Sequence, residues 1–289
     1  MIIALGGPDY RRFSYPAGEL QVRFVDKEKI AQLRHTERVD ILARITSSSD
    51  ILELMLLRDA IGGINSKAPI SLILPYLPYA RADRRFLEGD CLGIATLGRI
   101  LFVSSLDKVI TLDVHSPIAQ NWMNLKNVSA DPFIEQATNK FANTCNSHAI
   151  NILLPDEGAL GRYSIPAITG CNTFGVETQV FYATKQREPV TGKLLGFEVP
   201  PMPVHPTLIV DDICDGGGTF LGIAKQLPEI PDLALYTTHG IYSQGFAELE
   251  KYFKCLYTTN SFATTYRKAN KLMVMDCVSM LILAAQERN

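Results

Sequence analysis

Short apolar runs alternate with polar loops and with segments of helical period along most of the chain. Near-continuous hydrophobicity in such runs is typical of strands that helices cover on both faces of a parallel sheet. The candidate strands are residues 39–45, 70–76, 108–114, 150–155, 207–210 and 234–239. The candidate helices are residues 51–61, 92–101 and 220–227, the first of them capped by Ser49 or Asp50. The alternation predicts an α/β fold.

The length of 289 residues is about twice that of a usual domain, which favours two domains. The polar stretch at 142–148 marks the boundary between two strand and helix series. We therefore expect a first domain over residues 1–144 and a second over 145–271. The final segment, 272–289, reads as a strand or turn followed by a helix that joins the first domain.

Composition narrows the function classes. Lys and Arg number 28 against 30 Asp and Glu, so no basic surface for nucleic acid is expected. The longest apolar stretches fall well short of the ~20 residues of a membrane helix, and the amino-terminal segment has no signal-peptide pattern. The six cysteines form no CxxC or zinc-ligand spacing and read as buried, reduced thiols. A cytoplasmic protein without nucleic-acid or membrane partners is expected.

The strongest chemical signal is the segment TLIVDDICDGGGTF at 207–220. Glycines let backbone N–H groups close around an anion, and a helix amino terminus adds partial positive charge, so the loop predicts a phosphate site. Two adjacent carboxylates beside a phosphate would repel it, and they are expected to face sugar hydroxyls or a divalent cation. The residues of this predicted site are Asp211, Asp212, Asp215, Gly216, Gly217, Gly218 and Thr219.

Five further motifs occur with this loop in a fixed order. They are LPYLPYARADRR at 74–85, VITLDVHSP at 109–117, LLPDEGALGRY at 153–163, TTHGIYSQG at 237–245 and TTNSF at 258–262. Together with the glycine loop they resemble the ribose-phosphate pyrophosphokinases, or PRPP synthetases, over about residues 15–285.

The resemblance implies two tandem type I phosphoribosyltransferase-like domains, each a mainly parallel sheet flanked by helices. It also implies a diphosphotransferase of nucleotide biosynthesis, which moves the β,γ-diphosphate of Mg-ATP to the anomeric hydroxyl of ribose 5-phosphate and gives PRPP and AMP. A PRPP-consuming phosphoribosyltransferase would share the glycine loop. It is expected to lack the paired domains and the motifs at 74–85 and 109–117.

The same resemblance assigns residues to the transfer step. His115 and Asp156 would bind Mg²⁺, with His115 also counted as catalytic. Lys185 and Arg187 match the basic pair on a loop that closes over the transferring phosphates, where fixed positive charge stabilises the transition state. Lys193 is the alternative cation on that loop.

On the nucleotide side, the resemblance assigns ATP contacts to Arg81 and Asp83, with Arg84 or Arg85 nearby. Tyr15 and Glu19 match a segment that reaches an adenine bound at a neighbouring subunit. A borrowed contact of this kind would require a homo-oligomer, a dimer or the hexamer that the family forms.

Three departures from the family pattern concern ligand contacts. Ala17 and Ala82 replace polar residues of the nucleotide site, which leaves base selectivity open. Gly216 replaces a Thr of the glycine loop, so one hydroxyl donor to the sugar phosphate is missing; such a bond to a charged group contributes about 1.5–3 kcal/mol. A larger acceptor, the free ribose of ADP-ribose in a route to NAD⁺, is therefore an alternative to ribose 5-phosphate. A noncatalytic regulatory homologue is a further alternative.

Replacing Lys185 by alanine tests the assigned catalytic cation. We expect the Lys185→Ala variant to lose turnover by orders of magnitude, because the transition-state charge is no longer neutralised, with little change in the free energy of unfolding. The rate of AMP release measures this, and Lys193→Ala is the matched variant on the same loop. Unchanged turnover in Lys185→Ala would exclude Lys185 from the catalytic role.

Overall fold

The computed structural model describes residues 1–159, 161–163, 175–187 and 194–287, with backbone alone at Glu157, 185–187 and 194–195. Contacts divide the chain into two compact units. The first comprises Met1–Val128 and Cys277–Asn289, and the second comprises Ser129–Asp276. Across the described residues, no helix combines the length and apolarity that a bilayer crossing requires.

The first unit is built on a parallel sheet of five strands in the order β1-β4-β5-β6-β7. A separate antiparallel hairpin, β2 with β3, follows the first strand. The strands are β1 Ile2–Ala4, β2 Arg11–Ser14, β3 Leu20–Arg23, β4 Val39–Leu42, β5 Ile70–Ile73, β6 Lys108–Leu112 and β7 Leu125–Val128. The helices are α1 Lys27–His35, α2 Ser48–Ile64 and α3 Gly93–Val103.

Helix α2 begins one turn earlier than its apolar pattern predicts. The Ser47 side chain accepts from the Asp50 backbone N–H, and the Asp50 carboxylate accepts from the Ser47 backbone N–H. This reciprocal arrangement satisfies N–H groups that have no partner inside the helix. Ser47 is therefore the cap, and the prediction of Ser49 or Asp50 is wrong, since both lie in the first helical turn.

The second unit contains a parallel sheet of six strands in the order β15-β14-β13-β12-β8-β9, and an antiparallel pair of β10 with β11. The strands are β8 Ala149–Leu154, β9 Glu177–Tyr182, β10 Thr184–Arg187, β11 Leu194–Glu198, β12 Thr207–Cys214, β13 Leu233–Gly240, β14 Cys255–Thr259 and β15 Leu272–Met275. The helices are α4 Asp131–Cys145, α5 Gly218–Ala224 and α6 Leu249–Tyr252, and α7 Val278–Gln286 returns to the first unit.

The predicted α/β class with parallel sheets is confirmed, and all six predicted strands are present. Five of the six cysteines are described, and the prediction that all are buried is wrong for three of them. Cys214 and Cys277 are buried, Cys145 and Cys255 are half-buried, and Cys91 is exposed. All five are free thiols. Cys171 lies outside the described residues.

The division into units differs from the predicted boundaries in two places. Helix α4 belongs to the second unit because it packs on β8, β12, β13 and β14. Strand β15 also belongs there, because it pairs with β14. Helix α7 packs on β5 and β6 of the first unit, with Leu281 and Ala285 fully buried and the Lys126 ammonium donating to the Ala284 carbonyl at 2.9 Å.

Two glycines offer a matched test of the packing in the first unit. A Cβ on Gly98 of α3 would lie 2.6 Å from both the Cβ and the carbonyl oxygen of Trp122, whereas a Cβ on Gly63 of α2 would meet nothing within 4 Å. We expect Gly98→Ala to lower the free energy of unfolding by about 1–3 kcal/mol through overpacking. Gly63→Ala is expected to raise it by about 0.5–1 kcal/mol, because alanine is the better helix former. Urea denaturation measures both, and a common sign for the two variants would contradict the packing described.

Candidate active site

The acidic pair stands within strand β12, not in the loop after it. The ladder with β13 continues through Asp211, opposite Thr237, to Cys214, opposite Gly240. The strand is thus four residues longer than predicted, and the turn begins at Asp215. Asp212 is buried, with 2% of its surface exposed, while the Asp211 side chain keeps 20%.

Arg162 contacts both carboxylates of this pair. Its Nη1 forms an ion pair with Asp212 Oδ1 and lies 3.4 Å from Asp211 Oδ1. The Asp212 backbone N–H donates to Asp211 Oδ1 at 2.9 Å. Arg162 follows β8, which pairs in parallel with β12, so the segments after both strands meet at one edge of the sheet. Sequence reasoning quoted this arginine within LLPDEGALGRY and gave it no role; its spacing after β8 was the only signal.

The environment of Asp211 disfavours its charge. Burial, and then the neighbouring Asp212 carboxylate, raise the pKa of Asp211 well above its ordinary value, although Arg162 opposes this shift. Burial likewise raises the pKa of the nearby Cys214 thiol to about 12, so this cysteine stays protonated at neutral pH. The site therefore contains a carboxylate that a hydrogen-bond donor from a ligand would stabilise.

The glycine loop follows strand β12 along the chain. Gly217 has φ of +80° and precedes the first residue of α5, and a Cβ there would lie 3.2 Å from Leu249 Cδ2. Gly216 and Gly218 are exposed, and a Cβ on Gly218 would meet nothing within 4 Å. Thr219 lies in the first turn of α5. The loop presents backbone to open space beside the carboxylates, as an anion site requires.

The two late motifs lie side by side at the ends of β13 and β14. His239 Nδ1 and Ser261 Oγ are 2.8 Å apart, and both residues are buried. Ser261 Oγ and Thr259 Oγ1 both donate to the Thr238 carbonyl, at 3.0 and 2.7 Å. These bonds satisfy buried polar groups and fix the edge of the sheet that carries the glycine loop.

In the first unit, the predicted nucleotide residue Asp83 is held by two neighbours. Arg84 forms two bonds to its carboxylate, Nε at 3.0 Å and Nη2 at 3.3 Å. The hydrogen bond from Arg84 and then that from Ser116 lower the pKa of Asp83. Ser116 follows β6 and precedes a 3-10 turn, so it joins the segment after β5 to the segment that contains His115. Arg81, the principal predicted nucleotide contact, is exposed in the same segment as Asp83.

Tyr15 and Glu19 lie at the tip of the β2–β3 hairpin. The Tyr15 N–H donates to the Glu19 carbonyl at 2.9 Å, and the Gly18 N–H donates to the Tyr15 carbonyl at 2.8 Å. Both side chains are exposed. The structure therefore places these two predicted nucleotide contacts on a projecting turn of the first unit.

The two predicted magnesium ligands stand at strand ends, one in each unit. His115 is half-buried and follows Asp113, whose φ of +42° turns the chain sharply after β6. Asp156 follows β8. Within the described ranges, no three His, Cys, Asp or Glu side chains are grouped as a metal site.

The predicted catalytic positions Lys185 and Arg187 both lie on β10, which pairs antiparallel with β11. The register of this pair shifts between Gln186 and Arg187. The side chains of Lys185 and Arg187, and the whole of Lys193, lie outside the described residues.

Comparisons with known proteins give consistent results. The chain is 30% identical over 227 residues to ribose-phosphate pyrophosphokinase 2 of Archaeoglobus fulgidus, which covers 78% of this chain and 72% of the relative. It is 26% identical over 267 residues to the ribose-phosphate pyrophosphokinase of Pyrococcus abyssi, which covers 90% and 88%. No family model matches the chain.

A solved structure supports the fold independently. The crystal structure of phosphoribosylpyrophosphate synthetase from Mycobacterium smegmatis matches with a TM-score of 0.73 over 95% of this chain and 88% of that one, at 19% identity. The match extends to both units, and with the two parallel sheets it confirms the predicted pair of phosphoribosyltransferase-like domains.

The raised pKa of Asp211 predicts a stabilising substitution. When the pKa of a carboxyl group is higher in the folded than in the unfolded chain, the folded chain loses stability as the pH rises above the pKa of the unfolded chain. We expect Asp211→Asn to raise the Tm at pH 7.5. The gain should disappear near pH 3, where the side chain at residue 211 is neutral in both the wild type and the variant. Asp212 still pairs with Arg162 in this variant. Thermal unfolding across pH measures the effect, with the exposed Asp59→Asn as the control; a lower Tm at pH 7.5 would refute the prediction.

Proposed function

The chain belongs to the ribose-phosphate pyrophosphokinase family, and we propose that it transfers the β,γ-diphosphate of Mg-ATP to the anomeric hydroxyl of ribose 5-phosphate, giving PRPP and AMP. The observation that carries this proposal is the continuity of residues 211–219, which we call the acceptor loop. Asp211 and Asp212 stand within β12, and an open glycine turn begins at Gly216 soon after the strand ends, so groups suited to a sugar diol and to a phosphate follow one another along the chain.

On the acceptor side, Asp211 and Asp212 would accept hydrogen bonds from the ribose hydroxyls. The Arg162 ion pair fixes the position of Asp212, and Asp211 retains exposed surface from which it can reach a ligand. The backbone of Gly216–Gly218 and the hydroxyl of Thr219 would bind the 5′-phosphate. Binding at both ends orients the anomeric hydroxyl, and orientation lowers the barrier to attack.

On the nucleotide side, Arg81 would bind ATP phosphate or stack on the base, as guanidinium groups do. The bonds from Arg84 and Ser116 hold Asp83 in place for its own contact. Tyr15 and Glu19, on the projecting hairpin, would contact an adenine in a second copy of the chain. This role requires a homo-oligomer, a dimer or a larger assembly.

A magnesium site with few protein ligands would suit the proposed reaction. Magnesium in such enzymes is held by one or two protein ligands, with substrate phosphates and waters completing the shell, and it neutralises charge on the transferring phosphates. His115 in the first unit and Asp156 in the second would each be a candidate protein ligand of the ion. Lys185 and Arg187 would add fixed positive charge to the phosphoryl oxygens.

Transfer to the free ribose of ADP-ribose remains the alternative, and the exposure of the glycine turn favours it. A Cβ on Gly216 would meet just Gln244 Cγ at 3.6 Å and Ser243 Oγ at 4.0 Å among the described residues, and Gly218 faces open space. A phosphodiester that continues outward from the loop would fit such an opening as well as a terminal phosphate does.

A direct acceptor comparison tests the proposal. With ATP and Mg²⁺ supplied, AMP release is measured against ribose 5-phosphate, ADP-ribose and 2-deoxyribose 5-phosphate. We expect the highest kcat/KM with ribose 5-phosphate, and a KM at least several-fold higher with the 2-deoxy sugar, because it lacks a hydroxyl that the Asp211–Asp212 pair would bind.

A preference for ADP-ribose would replace the main proposal by the alternative. Failure of both acceptors to release AMP would reject the transferase proposals and favour a noncatalytic regulatory role.

A further inference from the structure

The segment 241–245 after β13 is fixed against the acceptor loop by four hydrogen bonds. The backbone N–H groups of Ile241 and Tyr242 donate to the Cys214 carbonyl at 2.9 and 3.1 Å. The Ser243 N–H donates to the Asp215 carbonyl at 3.0 Å, and Ser243 Oγ donates to Asp215 Oδ1 at 2.7 Å. The two segments therefore form one wall of the site.

The backbone on either side of Gln244 is also anchored. Tyr242 is buried, with φ of +49°, and its ring packs 4.7 Å from Phe246 and 5.7 Å from Tyr266. The Gly245 N–H donates to the Tyr242 carbonyl at 2.8 Å. The Cα of Gln244 thus has a fixed place beside the loop, while its side chain is exposed to solvent.

Gln244 borders the position that a side chain at residue 216 would occupy. A Cβ on Gly216 would lie 3.6 Å from Gln244 Cγ, and the one other described neighbour within 4 Å would be Ser243 Oγ. The Ser243 hydroxyl proton is already donated to Asp215. The carboxamide of Gln244, one bond beyond Cγ, carries two N–H donors, and this is the type of group that binds a phosphate oxygen.

We propose that Gln244 is a specificity-determining residue of the acceptor site, and that its carboxamide donates to the acceptor's phosphate oxygen from the wall beside Gly216. This inference rests on the proposed function. The threonine hydroxyl that is missing at residue 216 would be replaced by a donor from the neighbouring segment, the carboxamide of Gln244. The ligand class is a sugar phosphate ester bound at the glycine turn.

The isosteric variant Gln244→Glu tests this role most directly, because it replaces the amide N–H₂ by a carboxylate oxygen that repels phosphate. We expect the KM for ribose 5-phosphate to rise roughly tenfold or more, the usual effect of losing a hydrogen bond to a charged group. The kcat at saturating acceptor and the KM for ATP are expected to stay within about twofold of wild type. Gln226→Glu, an exposed glutamine beyond the end of α5, is the matched control and should leave every parameter unchanged.

Rescue separates ligand binding from a structural effect. In Gln244→Ala the acceptor KM should rise, and adding Gly216→Thr should restore much of the loss, because the new hydroxyl supplies a donor where the side chain at residue 244 no longer crowds it. The backbone at Gly216 lies outside the left-handed region, so threonine is tolerated there. In the wild-type background, Gly216→Thr should give no such gain.

Three outcomes would overturn the role of Gln244: a wild-type acceptor KM in Gln244→Glu, an equal loss in Gln226→Glu, or no recovery in the double variant. Calorimetric titration of the protein with ribose 5-phosphate measures acceptor binding without turnover. An inactive wild type that still binds ribose 5-phosphate through Gln244 would reject the proposed transfer reaction and retain the role of Gln244.

Discussion

The ion pair between Arg162 and Asp212 is the interaction on which the proposed acceptor site depends. Two consecutive carboxylates at the end of a strand inside a six-stranded sheet would be costly without a cation, since removing each charge from water costs several kcal/mol. Arg162 offsets this cost for Asp212, which is almost fully buried. It does so less completely for Asp211, whose raised pKa shows that its charge is still disfavoured. The site therefore contains one carboxylate whose charge donors from a ligand would stabilise.

Each unit joins the segments that follow two adjacent parallel strands by a side-chain contact. In the first, Ser116 after β6 bonds to Asp83 after β5. In the second, Arg162 after β8 pairs with Asp212 at the end of β12. The carboxyl ends of parallel strands meet at one edge of a sheet, so residues far apart in sequence become neighbours there. Polar contacts across that edge fix the loops that carry the predicted ligand-binding groups.

The six predicted strands all lie inside the two sheets, and they could be predicted because their apolar runs are nearly continuous. Edge and hairpin strands, such as β7, β9 and the β2–β3 pair, were missed since half-exposed positions interrupt their patterns. The continuation of β12 through its two aspartates follows from pairing with β13, which hydrophobicity alone does not reveal. Motif order led to the proposed acceptor loop. Arg162 and Gln244 lie within the motifs at 153–163 and 237–245, but the motifs alone gave neither residue a role, because their importance comes from contacts made across the sheet edge.

The return of α7 to the first unit has a consequence for the order in which the chain acquires its structure. The buried side chains Leu281 and Ala285 complete the packing on β5 and β6, although the ribosome makes them after the whole second unit. During synthesis the first unit therefore lacks the helix that covers part of its sheet until the end of the chain is made. The continuous segment from Ser129 to Asp276 can fold by itself before then. The first unit, whose synthesis begins earlier, therefore completes its packing after the second unit.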